Sequence, residues 1–379
     1  MSSSNSSIPR FASVATSSSV SNQMDSKKLC FLCQFWPDIG LTEQDVGDES
    51  YNAFFDYVNQ EIRILGSCGE DFAAQCLEGT AALVSKLREH KARSKMEILE
   101  DLQKDFPNAS NSSIERSMEL ALRLWLTLTI RSSNIAVGPV NAAVTQIEWP
   151  GQKSLTSLVQ DQFVEQVSPV PEGKARLQAD SNLTAASLVR IYSIQIIWTN
   201  NLADHLELHR MNRTLKIYQH KICLINHAAQ ATIANSVFSL PVLEEAIDTM
   251  NLLFPIGDEM TTALLLKEGK MLHTLGNYHR APRTNLARYV YWREQLMELV
   301  DFVQEPARNW RQFRSRPRSL TESATFWNLC IAIVVILLTL ISIGFGTAQT
   351  VFSVKQYKVS VLQLCQGSAN DLALKDLCK

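Results

Sequence analysis

The longest run of apolar residues spans Phe326–Ala348 and contains no charged side chain. As a helix rising about 1.5 Å per residue, this run is about 34 Å long, enough to cross a hydrocarbon core about 30 Å thick. A helix satisfies its own backbone polar groups, which lipid cannot do. The pattern therefore predicts one transmembrane helix over residues 326–348, in preference to the alternative of a buried core helix.

The flanks of this helix differ in charge, because five arginines precede it and only Lys355 and Lys358 follow it closely. Positively charged flanks tend to stay in the cytosol, so the bias predicts a cytosolic N-terminal body. The basic side chains should also attract anionic lipid headgroups of the bilayer. The five membrane-flanking residues are Arg308, Arg311, Arg314, Arg316 and Arg318.

The N-terminal segment 1–28 is rich in serine and lacks the apolar core of a secretory signal peptide. Its single arginine does not fit a mitochondrial presequence, so the segment is predicted to be disordered. With no earlier signal, the apolar helix near the C-terminus must itself direct insertion into the membrane. This arrangement predicts a tail-anchored, single-pass protein with a short far-side tail.

Five Asn-x-Ser/Thr sequons offer an alternative topology, because they would be glycosylation acceptors if the body were lumenal. The triplet is common by chance in a chain rich in asparagine and serine, so the flanking charges favour the cytosolic interpretation. The sequons begin at Asn5, Asn108, Asn111, Asn182 and Asn212.

Most of the remaining chain shows apolar residues at helical spacing, as in Phe54, Val58, Ile62 and Leu65. The segment 112–130 begins with Ser112 and carries a glutamate three residues later, which predicts a capping box. Residues 132–154 carry glycine, proline and short β-branched runs, which predict an irregular segment. The helical patterns cover 50–66, 71–106, 112–130, 184–209, 240–255 and 285–306.

The apolar pattern over 184–209 contains a group of polar residues. On a helix, Trp198, Asn201, His205 and His209 share one stripe. We predict a structural polar cluster of Trp198, Asn201, Asp204 and His205 that ties helices together. The alternative, an Asp204–His205 catalytic dyad, is weaker because adjacent helical side chains point about 100° apart.

A metal site is the strongest chemical alternative in this region. On a helix, His205 and His209 would share one face, and His220, Cys223 and His227 would share another. Zinc takes four ligands of these kinds. The spacing is not that of a compact zinc module, so the sequence favours a histidine-rich polar face without a metal or other cofactor. The candidate ligands are His205, His209, His220, Cys223 and His227.

The net charge of −2 and the absence of a basic run away from the membrane flank argue against nucleic-acid binding. Cys30 and Cys33 form an isolated C-x-x-C with apolar neighbours, so core packing is the preferred interpretation. Two far-side thiols, Cys365 and Cys378, either pair or remain free. Gly344/Ala348 form a small-xxx-small pair typical of closely packed membrane helices, which suggests a homo-oligomer.

Six further segments carry a common pattern: Ile147–Phe163, "WTNNLADHL" at Trp198–Leu206, "LLFP" at Leu252–Pro255, "YWREQLMEL" at Tyr291–Leu299, "NWRQFRSRPR" at 309–318 and 326–357. Together they resemble a family of uncharacterised filamentous-fungal single-pass membrane proteins. The resemblance covers about 143–357 and includes no motif of known chemistry. It implies a fungal source, a largely helical body and a C-terminal anchor, and no catalytic residues carry over from it.

The sequence thus predicts a mainly α fold, with a helical cytosolic body and one C-terminal transmembrane helix. The preferred function is a membrane-tethered, non-enzymatic interaction or scaffold protein that binds a cytosolic protein partner. The alternative is a membrane-bound enzyme or accessory protein, for example of fungal specialised metabolism, with a metal site in the His205–His227 region. The predicted segments are a disordered start (1–28), an N-terminal helical region (29–135), an irregular linker (136–180), a helical domain (181–305), a basic juxtamembrane segment (306–325), the membrane helix (326–348) and the far-side tail (349–379).

Overall fold

A computed structural model describes residues 18–47, 49–132, 144–166, 183–233, 236–275, 285–304 and 320–367. The chain divides into two compact units, Met1–Ser315 and Arg316–Lys379. The five flanking arginines, the sequons at Asn5 and Asn182, and Cys378 lie outside the described residues.

The fold is mainly α, as the apolar spacing predicts. Short strands form a two-stranded and a three-stranded sheet. The helices are α1 (Ser18–Phe35), α2 (Glu43–Gly47), α3 (Asn52–Cys68), α4 (Leu77–Glu89), α5 (Lys95–Asp105), α6 (Asn111–Leu126), α7 (Leu155–Gln162), α8 (Ala185–Arg190), α9 (Lys221–Thr232), α10 (Leu240–Leu253), α11 (Glu259–Lys267), α12 (Arg293–Gln304) and α13 (Leu320–Gly367). The strands are β1 (Ile130–Arg131), β2 (Ile147–Glu148), β3 (Gln195–Thr199), β4 (Leu208–His209) and β5 (Thr214–Tyr218).

Helix α3 confirms the helical pattern over 50–66. Its apolar stripe of Phe54, Val58, Ile62 and Leu65 is buried in the core of the body. An amphipathic helix gains most of its stability from such burial, at about 25 cal/mol per Å² of apolar surface. The aromatic ring of Phe54 packs against those of Phe35 and Trp36, so α3 and α1 share one core.

Polar side chains determine where helices α5 and α6 begin. Ser94 and Glu97 form a complete capping box at the start of α5. At α6 the N-cap is Ser110, whose side chain accepts from the Ser113 amide at 3.1 Å. The capping box predicted at Ser112 is therefore wrong. The glutamate assigned to it, Glu115, instead pairs with Lys95 at 2.8 Å.

The prediction of one continuous helix over 184–209 is also wrong, except for its first residues. Helix α8 ends at Arg190, and Ser193 takes a left-handed conformation with φ of 56° that breaks the helix. The next residues form β3, which pairs in parallel with β5 from Gln195 opposite Thr214 to Thr199 opposite Tyr218. The physical reason is local composition, because the run "QIIWT" is β-branched and aromatic and pairs with the similar run "TLKIY".

Two segments predicted to be irregular contain helices. Within 136–180, the described residues form β2 and α7, which is capped by Ser154 and buries Leu155, Leu158 and Val159. This short amphipathic helix escapes notice because proline and glycine stand just before it. Residues 18–28, predicted to be disordered, form the first part of α1, whose later residues pack into the core.

Glu245, on α10, organises the start of α12. Its two carboxylate oxygens accept hydrogen bonds from the amides of Val290, Tyr291 and Trp292, each at 2.7 Å. These three residues form the turn that leads directly into α12, and a negative charge near a helix N-terminus also interacts favourably with the helix dipole. A buried side chain on one helix therefore fixes the beginning of another.

The second unit contains α13, an uninterrupted helix of 48 residues. Within the described residues, one helical stretch, Ile331–Gln363, is long and apolar enough to cross a membrane. Its most apolar part has a mean hydropathy of 2.5 and is 0% buried. Helix α13 continues well past Ala348. Residues 349–367, predicted to be part of a short tail, are therefore helical.

Candidate functional site

Two members of the predicted polar cluster, Asn201 and Asp204, bind the backbone of one neighbouring segment. The Asn201 amide donates to the Thr145 carbonyl at 2.8 Å, and the Asp204 carboxylate accepts from the Thr145 amide at 2.8 Å. Both side chains are buried. Because they lie in the turn after β3, this pair holds the chain that leads into β2 against the three-stranded sheet.

His205 joins the sheet to α10. Its Nδ1 accepts from the Tyr218 amide at 3.2 Å, so its Nε2 carries the proton and donates to the Thr249 hydroxyl at 2.8 Å. Burial lowers the pKa of His205 to about 3, which keeps the ring neutral. Asp204 bonds to Thr145 rather than to His205, so the geometry is that of two structural contacts and not of a catalytic dyad.

Trp198, the fourth residue of the predicted cluster, lies apart from the other three. Its ring stacks on Phe254 with centroids 5.7 Å apart, and the ammonium of Lys270 lies 5.3 Å from its centroid. The prediction that Trp198, Asn201 and His205 share one stripe of a helix is wrong, because these residues occupy a strand and a turn. Side chains alternate between the two faces of a strand.

The candidate metal ligands are dispersed. Among the described residues, no three His, Cys, Asp or Glu side chains form a group that could hold a metal ion. His209 lies in β4 beside Glu207 at 3.1 Å, and the Nε2 of His227 donates to the Trp125 carbonyl at 3.0 Å. Cys223 is buried in α9, and burial raises the pKa of its thiol. The helical spacing assumed for His205 and His209 is wrong because the chain there is not helical.

The predicted core packing of Cys30 and Cys33 is also wrong, since both thiols are exposed on α1. The buried face of that helix is formed by Phe31, Leu32 and Phe35. Burial, and to a lesser extent the neighbouring Cys30, raises the pKa of the Cys33 thiol, which disfavours the reactive thiolate.

The body contains a polar pocket of about 310 Å³. It lies at the edge of the sheet where β3 and β5 both end, because parallel strands place their carboxyl ends on the same side. Asn200 follows β3, and Gln219 and His220 follow β5, so these side chains meet there. Its other walls come from α3 and from the segment after α11. Ligands commonly bind outside the carboxyl ends of parallel strands.

His220 forms the floor of this pocket. Its ring, 1% exposed, lies 5.2 Å from that of Tyr57, and its Nε2 lies 2.8 Å from the Asn200 Oδ1. Gln219 donates to the same amide oxygen, so that oxygen is an acceptor and the His220 Nε2 carries the proton. The lone pair of Nδ1 then has no hydrogen-bond partner in the described part of the chain. Burial, and secondarily Lys270, lowers the pKa of His220 to about 3.

The pocket has charges of both signs. Lys270 is half-buried and donates to the Gln219 side chain, while Asp56 and Glu49 are exposed lining residues from α3 and the turn just before it. Burial lowers the pKa of Lys270, and the carboxylates of Glu268 and Asp56 oppose that shift. Lys270 and the two carboxylates therefore line one pocket with opposite charges.

Helix α9 begins at the pocket and brings its N-terminus towards it. His220 is its N-cap residue and makes no side-chain capping bond within the described residues. The ammonium of Lys221 points away to the Asn251 amide oxygen at 2.8 Å, and burial lowers its pKa to about 8. A helix N-terminus favours negative groups because its first amides lack intrahelical acceptors.

The sequence singled out only His220 among the residues of this pocket. The others come from segments between residues 49 and 275, and no spacing along the chain connects them. Comparison with family models, with curated proteins and with solved structures finds no match for this chain.

Proposed function

We propose that this chain is a single-pass membrane protein whose helical body is a tethered, non-enzymatic interaction module for a cytosolic protein partner. The proposal rests on one observation: the most apolar part of the helix Ile331–Gln363 is not buried at all. In water this helix would expose large side chains such as Ile336 and Phe345. A lipid bilayer removes that cost, because it surrounds the apolar side chains with hydrocarbon instead of water.

The internal contacts of the body support an interaction module over the metalloenzyme alternative. His205 and His227 make hydrogen bonds inside the fold, and the residues His205–His227 do not bring metal ligands together. The resemblance to the fungal family carries over no catalytic residues either. The body then acts through its surface, where a protein partner binds.

The charge bias around α13 supports an orientation with the body in the cytosol. The described sequons at Asn108, Asn111 and Asn212 are exposed, so they would be accessible to glycosylation on a lumenal body. Mass analysis of the native protein distinguishes the two orientations. Unmodified asparagines support the cytosolic body, whereas glycans at these positions overturn it.

Membrane tethering is tested by flotation of cell membranes on a density gradient, which separates integrated protein from aggregates. The wild-type chain is expected to float with lipid and to resist alkaline carbonate. The double variant Leu337→Arg/Leu340→Arg is expected to lose flotation, since an arginine at the centre of a membrane helix costs about 3 kcal/mol. The matched double variant Leu337→Ala/Leu340→Ala should still float. A wild-type chain that sediments without lipid would overturn the tether.

Partner binding is tested by photocrosslinking in intact cells from Met211, whose side chain is 97% exposed on the body. The proposal expects a protein adduct of defined mass that persists when Gly344 is replaced by leucine. An adduct that is a second copy of this chain and disappears in Gly344→Leu would instead assign binding to self-association through Gly344/Ala348, which are spaced for close helix packing. The absence of adducts from Met211 and from other exposed body positions contradicts the interaction module.

A further inference from the structure

The polar pocket between α3 and the N-terminus of α9 combines features that the tethering proposal does not use. It is lined by the half-buried cation Lys270 and by the exposed carboxylates of Asp56 and Glu49, and the buried His220 fixes Asn200 of the lining through a hydrogen bond. We propose that this pocket binds an amino-acid-sized zwitterion, with its acidic group towards Lys270 and α9 and its amine towards Asp56.

The acidic group of the ligand is placed by the positive end of the pocket. One N–H of the Lys270 ammonium is used by Gln219, and the ammonium retains further donors for an anionic oxygen. Helix α9 has 12 residues, and the positive end of its dipole lies at the same edge of the sheet, where it favours a negative group. A carboxylate oxygen also forms a strong, charge-assisted hydrogen bond with an ammonium.

The amine of the ligand is placed by the negative rim. Asp56 and Glu49 lie on the α3 side of the pocket, whereas Lys270 comes from the segment after α11. These carboxylates would repel a ligand with negative charge alone, and Lys270 would repel one with positive charge alone. Since Lys270, Asp56 and Glu49 give the lining charges of both signs, a ligand that carries both signs matches the pocket best.

His220 holds part of the pocket lining in place rather than binding the ligand itself. Its ring is 1% exposed and its Nδ1 is enclosed by protein, whereas its Nε2 proton donates to the Asn200 oxygen and fixes that side chain. The volume of about 310 Å³ is at the lower end of the range for ligand pockets, which limits the ligand to a small molecule.

The test is isothermal titration calorimetry on the full chain in lipid nanodiscs. The probes are the twenty standard amino acids, one at a time, together with acetate, ethylammonium and inorganic phosphate. We expect saturable one-to-one binding of at least one amino acid. Acetate and ethylammonium, which carry only one of the two charges, should bind at least about tenfold more weakly.

Two variants at partly or fully exposed positions locate the binding site without disturbing the core. Lys270→Gln and Asp56→Asn should each weaken binding of that amino acid by about tenfold or more. The matched controls Lys267→Gln and Glu100→Gln remove exposed charges outside the pocket and should leave affinity unchanged. Melting curves of all four variants verify that each one folds.

Three results would overturn the proposal. The first is no binding of any amino acid to the wild-type chain. The second is binding that neither Lys270→Gln nor Asp56→Asn weakens, which would place the ligand elsewhere. The third is preferential binding of phosphate that Asp56→Asn strengthens, which would make the pocket a simple anion site. Flotation of the membrane anchor does not depend on any of these results, so the two proposals fail separately.

Discussion

Glu245 shows how one buried side chain determines the local structure of a distant segment. Replacing it with alanine leaves the amides of Val290, Tyr291 and Trp292 without their carboxylate acceptor. We expect Glu245→Ala to lower the free energy of unfolding by at least about 4 kcal/mol, because three hydrogen bonds to a charged group are lost and each is worth about 1.5–3 kcal/mol. Chemical denaturation of the full chain in detergent micelles, followed by tryptophan fluorescence, measures this change.

The control for that prediction is Glu100→Ala, which removes an exposed glutamate from the middle of α5. Its effect should stay within about 0.5 kcal/mol, as is usual for surface substitutions. If the two alanine variants unfold at the same denaturant concentration, Glu245 does not hold the start of α12 in the way described.

Three buried histidines make the stability of the body depend on pH. Burial lowers the pKa values of His205 and His220 to about 3 and that of His227 to about 4, from an ordinary value of 6.5. Below pH 6.5 the unfolded chain therefore binds more protons than the folded chain. Stability is fully present above that pH and falls on acidification by about 1.4 kcal/mol per pH unit for each histidine, until the folded-state pKa is reached.

Denaturation of the full chain at several pH values between 6.5 and 4 tests this linkage. His227→Gln removes one of the three groups, so the dependence of unfolding free energy on pH should become about one third less steep. His209→Gln is the control, since the His209 side chain is 43% exposed. An unchanged slope in His227→Gln would mean that His227 does not stay neutral in the folded chain.

At the scale of single elements, the start of α6 offers a direct comparison of two serines. Ser110 is the N-cap, whereas Ser112 lies inside the helix. We expect Ser110→Ala to cost about 1 kcal/mol of stability and Ser112→Ala clearly less, because only the cap satisfies a free helical amide. Thermal melting of the two variants decides between these positions. An equal or larger loss in Ser112→Ala would restore the capping box predicted from the sequence.

The elements that the sequence predicted correctly are those whose signal is local and repeated. The apolar stripe of α3 recurs over several turns, so its period is clear without tertiary information. The strand β3 is only five residues long and follows a genuine helical turn in α8, so its apolar residues also fit a helical period. What decides its conformation is pairing with β5, and that contact is not visible in a short window of sequence.

The pocket was less predictable than the helices for a related reason. Of its main groups, only His220 belongs to a pattern that the sequence analysis examined as a candidate site. Lys270 and Asp56 look like ordinary surface charges, since each stands on the polar side of its own segment. Their proximity follows from the parallel pairing of β3 and β5 and from the packing of α3, which are properties of the folded body.

At the scale of the whole molecule, α13 predicts where the bilayer ends. Within the candidate span Ile331–Gln363, the uncharged part ends at Val354, just before Lys355, and residues 331–354 span about 36 Å as a helix, close to the hydrocarbon thickness. Lys355 and Lys358 then lie in the headgroup region or in water. In open membranes, a membrane-impermeant maleimide should label Ser360→Cys and not Leu340→Cys, in a chain from which all eight native cysteines, including the exposed Cys30, Cys33 and Cys76, have been removed.

Detergent provides the control for this labelling experiment, because it should make Leu340→Cys reactive as well. Equal labelling of Leu340→Cys and Ser360→Cys before detergent is added would contradict the assignment of 331–354 to the hydrocarbon core.

The length of α13 has a further consequence for the side of the membrane opposite the body. With 48 residues the helix is about 72 Å long, more than twice the hydrocarbon thickness. The part beyond Val354 alone extends about 20 Å, whereas the headgroup layer on one side is only about 7 Å deep. When α13 lies along the bilayer normal, Gly367 stands about 13 Å above the lipid surface. In the proposed membrane-spanning arrangement, the helix is thus a rigid spacer as well as an anchor, and it presents its last turns to molecules dissolved in the aqueous phase.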